Sequence, residues 1–337
     1  MNSSNKIKDF ILDNINSHQK DIIQIAINKF GVSRQAIHKH MNGLIFDKKV
    51  VGHGTTKGRY YELIPKVNYY KSMNVGLKFD VHDIFDKYVQ PHIISLPNNI
   101  TEIFEFSISV LLNNVKDHSE ASKLYFKIYI DHREAHFIIN DNGIGILKHI
   151  KNGLKLTSFE QAALELVKGS AAINCYQHSG EELNAVAHLF DKVNIDSNRK
   201  SMVFKGKNGN WELKSSMQGK GTKIHLKIAN SSQNSCANIF DTFFTSTDNA
   251  IRIPVNFLNI SKNKIINSRS LAEILLKNVK NYKKIQFDFS NIDLIGPAFA
   301  NALINISKKN NKHADIKWLN MNETVDLLMS RALERKL

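Results

Sequence analysis

The chain has 337 residues, more than one hydrophobic core usually serves, so two or three domains are expected. Its 42% hydrophobic and 23% charged residues exclude disordered and fibrous classes, and two cysteines, Cys175 and Cys236, exclude a disulfide framework. A net charge of +15 points toward a polyanion such as nucleic acid without naming one.

The opening MNSSNKIKDF has no basic stretch followed by an apolar one, and no apolar run reaches the ~18–20 residues of a membrane span. A cytoplasmic protein without a membrane partner is therefore expected. Ile7, Phe10, Ile11 and Ile15 recur at helical spacing, and a second apolar face runs from Ile22 to Phe30, with Asp21 as its expected cap and Gly31 as its stop. Ser33 then caps a third helix, Arg34 to Ile45, whose polar face carries Arg34, Gln35, His38 and Lys39. Two short strands, Lys49–Val51 and Tyr60–Leu63, flank a basic loop holding Lys57 and Arg59.

The stretch GVSRQAIHKHMNGL within residues 1–66 resembles the winged helix-turn-helix family. The resemblance implies an α+β fold with its third helix in the major groove of double-stranded DNA. Arg34, Gln35, His38 and Lys39 would face the bases, and Lys57 and Arg59 the phosphates. Protein contacts are the other use of such a domain. Residues 67–79 are expected to form a linker.

In the next segment, a helix over Phe104–Ser119 turns Phe104, Ile108, Leu111, Leu112 and Val115 inward and gathers Asn113, Asn114, Asp117 and His118 at its C-terminal part. A strand over Leu124–Ile130 follows, then a buried strand from Ala135 that runs into Asp141-Asn142-Gly143-Ile144-Gly145. An Asp carboxylate at a strand end can accept a hydrogen bond from an exocyclic amine, and the glycines let backbone come close where a Cβ would intrude. An Asn on the preceding helix can ligate Mg²⁺ through its carbonyl.

LLNNVKDHS and DNGIGI resemble two signature motifs of the GHKL superfamily of gyrase and histidine-kinase type ATPases. The resemblance spans residues 80–230 and implies a sandwich of helices on one face of a mixed sheet, binding ATP or ADP with Mg²⁺. It implies that Asn114 holds the metal and Asp141 the adenine amine. Asp117, His118, Gly143, Gly145, Gly180 and Thr222 would complete the pocket, and Lys168–Ile195 resembles the lid and second glycine motif. Hydrolysing members carry a Glu four residues before the magnesium Asn, where this chain has Val110, so no catalytic base is expected. Glu182 lies where phosphates are expected and would repel them, with Lys168 and His178 as candidate offsets.

Residues 231–248 read as a second linker, and residues 249–337 alternate strand and helix. IQFDFSNIDLIGPAFANAL resembles STAS-type domains, in whose anti-sigma members a Ser at a helix start is phosphorylated. The matching place is Ala298, so no such switch is expected, and Ser290 reads as a turn residue. The fold class expected is multidomain α/β, and the order of segments resembles that of bacterial regulators. The expected function is an ATP-binding, DNA-binding regulator with weak or no hydrolysis, its last segment serving protein contacts or homodimerisation. An active kinase or ATPase and a nucleotide-free scaffold are the alternatives.

Overall fold

The computed structural model describes residues 3–55, 58–169, 181–206, 210–237, 250–255, 257, 265–277, 279, 282–290, 292–310 and 313–334. The protein is multidomain α/β with parallel and antiparallel strand pairs. It has two compact units: Met1–Lys71 with Lys127–Phe137 and Lys227–Ser232, and Ser72–Phe126 with Ile138–Leu226 and Gln233–Leu337. Among the described residues no helix is long and apolar enough to cross a membrane.

The first unit begins with α1 (Ser3–Asn14), α2 (Ile22–Phe30), α3 (Arg34–Phe46) and an antiparallel hairpin, β1 (Val50–His53) and β2 (Tyr60–Leu63). Ile7, Ile11, Ile22, Ala26, Ile37, Met41 and Leu44, at helical spacing, form one buried core with Tyr61 of β2. Gly31 ends α2 at φ 65°, a left-handed conformation that suits glycine, and Ser33 Oγ accepts the Ala36 N–H at 3.2 Å. Asp21 does not cap α2. Its φ of −116° and ψ of 4° lie outside the extended region that aims a cap at the first turn, and its carboxylate sits 3.3 Å from His18 Nδ1 instead.

A strand, β3 (Val67–Asn74), occupies much of the segment expected to be a linker. It is the edge of a seven-stranded sheet ordered β3-β4-β5-β9-β6-β7-β8, with β4 (Lys123–Ile130), β5 (Glu134–Asp141), β6 (Lys192–Ser197), β7 (Lys200–Lys205), β8 (Asn210–Ser215) and β9 (Thr222–Ala229). Period-two burial on β4 and β5 sends Leu124, Phe126, Ile128, Ala135, Phe137 and Ile139 to one buried face.

The second unit also holds α4 (Val81–Tyr88), α5 (Gln90–Ile93), α6 (Asn98–His118), α7 (Ile146–Gly153), α8 (Phe159–Lys168) and α9 (Glu181–Leu189). Helix α6 starts six residues earlier than the Phe104 expected, because Ile100 and Ile103 extend the same buried stripe. Its C-terminal part follows β10 (Ala250–Pro254), β11 (Ile265–Ile266), α10 (Arg269–Leu275), β12 (Lys284–Asp288), β13 (Leu294–Ile295), α11 (Pro297–Asn310), β14 (Asp315–Leu319) and α12 (Glu323–Glu334). Strands β10-β12-β14 pair in parallel, as strand and helix alternation requires, and the short parallel pair β11-β13 had no counterpart in the sequence pattern.

Candidate functional site

Two segments converge on Asp141, the last residue of β5, which is only 6% exposed. Its Oδ1 accepts the Gly143 N–H at 2.8 Å and its Oδ2 accepts the Thr222 N–H at 3.2 Å. Burial raises the Asp141 pKa above the ordinary carboxylate value even though those two N–H groups favour the charged form. Thr222 closes the arrangement, since its Oγ1 accepts the Ile146 N–H at 2.8 Å at the start of α7.

The glycines here are spaced against protein. A Cβ on Gly143 would lie 1.9 Å from the Ser119 carbonyl oxygen, and one on Gly221 would lie 1.9 Å from that of Asp141. Gly145, at φ 88°, approaches Asn198 and Ser197, where a Cβ would come within 2.5 and 2.6 Å of their side-chain oxygens. The Ile144 N–H donates to Ser119 O at 2.8 Å, which ties the loop to the end of α6.

Two asparagines that the sequence motifs gave no role, one inside DNGIGI and one outside it, hold this loop in place. Asn142 Oδ1 accepts from the Ser122 and Lys123 N–H groups at 3.0 and 2.9 Å. Asn198, in the tight turn between β6 and β7, accepts the Lys148 N–H at 3.0 Å and donates to Ile144 O at 3.1 Å. The Asn198-Arg199 pair has φ of 49° and 64°, the signature of a two-residue hairpin turn, and an Asn between two strand-forming runs is the sequence signal for it. Beside the loop is an open cleft of about 470 Å³ lined by Asn142, Gly143, Ile144, Lys148, Asn198 and Lys220, among others.

The other expected pocket residues are placed unequally. Asn114 and His118 are half-buried and Asp117 is exposed on the last turns of α6. The His118 ring lies 5.0 Å from that of His149 on α7, a neighbour the sequence did not disclose. Neither Asn114 nor Asp141 is among the lining of the cleft. Val110 is buried at 7% exposure, and Glu105 is exposed. Gly180 and His178 lie outside the described residues, as do residues 238–248 of the second expected linker. Lys168 cannot serve phosphate: it is buried, 2.9 Å from Glu165 Oε1, and donates to Lys277 O at 3.0 Å.

On the first unit, α3 presents Arg34, Gln35 and Lys39 to solvent with His38 half-buried between them. Burial lowers the His38 pKa, and the charges of Arg34 and Arg59 lower it further. The Arg59 guanidinium stands 5.3 Å from the Tyr61 ring centroid. Lys57 lies outside the described residues.

In the C-terminal part Asp288 is buried and accepts from Arg252 Nη2 at 2.7 Å, Ser290 Oγ at 2.7 Å and Asn320 Nδ2 at 2.9 Å. Burial raises its pKa, but these donors outweigh it and hold the carboxyl below its usual range. Ser290 is thus the turn residue expected, and Ala298 sits exposed in the first turn of α11.

A family model described as a STAS-like domain of unknown function (DUF4325) matches residues 269–326. No curated protein matches the chain. The C-terminal segment is therefore similar to a STAS-like domain, as its sequence pattern indicated.

Proposed function

We propose that this chain is a nucleotide-responsive, DNA-binding regulator, with a GHKL-type site around Asp141, a winged helix at its N-terminus and a STAS-like segment for protein contacts. The observation that carries the reading is the convergence of DNGIGI and the Gly221-Thr222 pair on one buried carboxylate. Each oxygen of Asp141 accepts one backbone N–H and keeps a second lone pair, so the group fits an exocyclic amine. Asn114 supplies the amide oxygen suited to Mg²⁺ bound with a triphosphate. Those are the residues that would hold the ligand.

The buried Val110 has no group to take a proton, which favours binding without hydrolysis. Occupancy then acts by differential affinity for two states of the chain. The cations Arg34 and Arg59, both close enough to act on His38, support contact with duplex DNA. A second reading, a scaffold without nucleotide, draws on the glycines, whose missing side chains make room for Ser119 and Asn198. Thermal denaturation with and without millimolar Mg-ATP separates the two, because a ligand bound only by the folded state raises Tm. A rise supports the regulator, and an unchanged Tm supports the scaffold.

A further inference from the structure

Along β4, Lys127 and Tyr129 point to the face opposite the buried Phe126, Ile128 and Ile130. Tyr70 of β3 is 51% exposed, and Lys127 Nζ lies 4.9 Å from its ring centroid and 5.4 Å from that of Tyr129. Tyr129 meets the His136 ring of β5 edge to face at 5.5 Å and 87°. Lys227 of β9 completes the row, its Nζ 2.7 Å from Glu134 Oε1. Because the sheet runs β3-β4-β5-β9, four adjacent strands contribute to a continuous line of rings and cations. At ~4.8 Å between strands, the line is about 14 Å long.

Rings alternating with ammonium groups match one chemistry closely. Bases stack on aromatic faces while the phosphates between them meet cations, and sheet surfaces built this way hold two or three bases of a single strand. A duplex hides its base faces and shows only edges in its grooves, so it would leave the tyrosines unused. Glu134 in the row is paired with Lys227 and with His136 Nε2 at 3.4 Å, and burial together with the charges of Asp131, Glu134 and Glu62 raises the Tyr129 pKa. The chain as a whole carries +15, complementary to a polyanion. The same unit carries the basic face of α3, which places the reading with DNA.

We propose that this sheet face binds single-stranded DNA, with bases on Tyr70 and Tyr129 and a phosphate at Lys127. The surface uses none of Arg34, Gln35 and Lys39, so strand binding here and duplex binding at α3 are tested by different substitutions, while the choice of DNA over RNA rests on the proposed role of α3.

The test is fluorescence anisotropy of the full chain with a labelled thymidylate 12-mer, measured also in an Arg34→Ala/Lys39→Ala background. The expected result is binding that survives the background change, weakens about ten-fold in Tyr70→Ala and is retained in Tyr70→Phe. Lys127→Gln is expected to reduce the salt dependence. An abasic 12-mer of equal charge is expected to bind as weakly as the thymidylate does to Tyr70→Ala. The proposal is overturned if the abasic strand binds as tightly as thymidylate, if a uridylate 12-mer binds ten-fold tighter, or if the α3 changes abolish binding. Should Tyr70→Ala fail to fold, Lys127→Gln decides: unchanged affinity and salt slope overturn the proposal.

Discussion

Thr222 donates its backbone N–H to Asp141 across 3.2 Å, joining the first residue of β9 to the last of β5 through a buried carboxylate. Asp141→Asn places an NH₂ against one of the two N–H donors, so a buried donor loses its acceptor at about 1–3 kcal/mol. Urea denaturation at pH 7.5 checks the loss. The pH dependence has a definite sign: a carboxyl whose folded pKa is raised binds more protons folded than unfolded. Asp141 therefore makes stability fall as pH rises from the ordinary carboxylate range through its raised value, and that slope vanishes in the Asn variant.

Gly143→Ala and Gly219→Ala make a matched pair. The first puts a methyl 1.9 Å from the Ser119 carbonyl oxygen, whereas the second meets nothing within 4 Å. Gly143→Ala is expected to lose more than about 4 kcal/mol or to fail to fold, and Gly219→Ala to stay within about 0.5 kcal/mol of the parent. Thermal melts of both distinguish the outcomes, and equal Tm values would show that the loop can open.

Much of this geometry is legible in the sequence because it rests on local rules. The alternation in LYFKIYI, the helical stripe ending in LLNNVKDH and the Gly-Val-Ser turn each follow from side-chain period or backbone conformation. What escaped depends on contacts distant in sequence. β3 alternates half-buried and exposed residues, the pattern of an edge strand with few apolar anchors, so VNYYKSMN resembles a linker until β4 is beside it. Lys168 reads as a surface cation at a helix end, and only its partners Glu165 and Lys277 show it to be buried. Asp21 has the right type for a cap, but its backbone conformation and His18 turn it away from that use.

The Lys168–Glu165 pair provides a stability test, since the two side chains are 0% and 2% exposed. Burial lowers the Lys168 pKa, with Glu165 opposing the shift. Removing one partner, as in Glu165→Leu, leaves an uncompensated buried charge and is expected to cost about 3–5 kcal/mol. The double variant Glu165→Leu/Lys168→Met removes both charges and is expected to recover most of that loss. Denaturant midpoints of the three proteins check the order, and a double variant no better than the single would place the loss in packing.

Glu134 offers a pH test on the sheet. A hydrogen bond with His136 and, against the opposing effect of burial, another with Lys227 hold its pKa down to about 2. A carboxyl with a depressed folded pKa contributes stability above its unfolded value that is lost as pH falls toward 2. Discounted for its partial exposure, the contribution is on the order of 1–2 kcal/mol. Glu134→Gln is expected to lower stability at pH 7 by that amount and to flatten the acid limb of a denaturation series.

Nucleotide binding at Asp141 is measured by isothermal titration calorimetry of the full chain with Mg-ATP, beside Asp141→Asn verified as folded by circular dichroism. Saturable binding at one site is expected in the parent chain, and at least about ten-fold weaker binding in Asp141→Asn. No binding heat at millimolar Mg-ATP, or equal affinity in the two proteins, would contradict it.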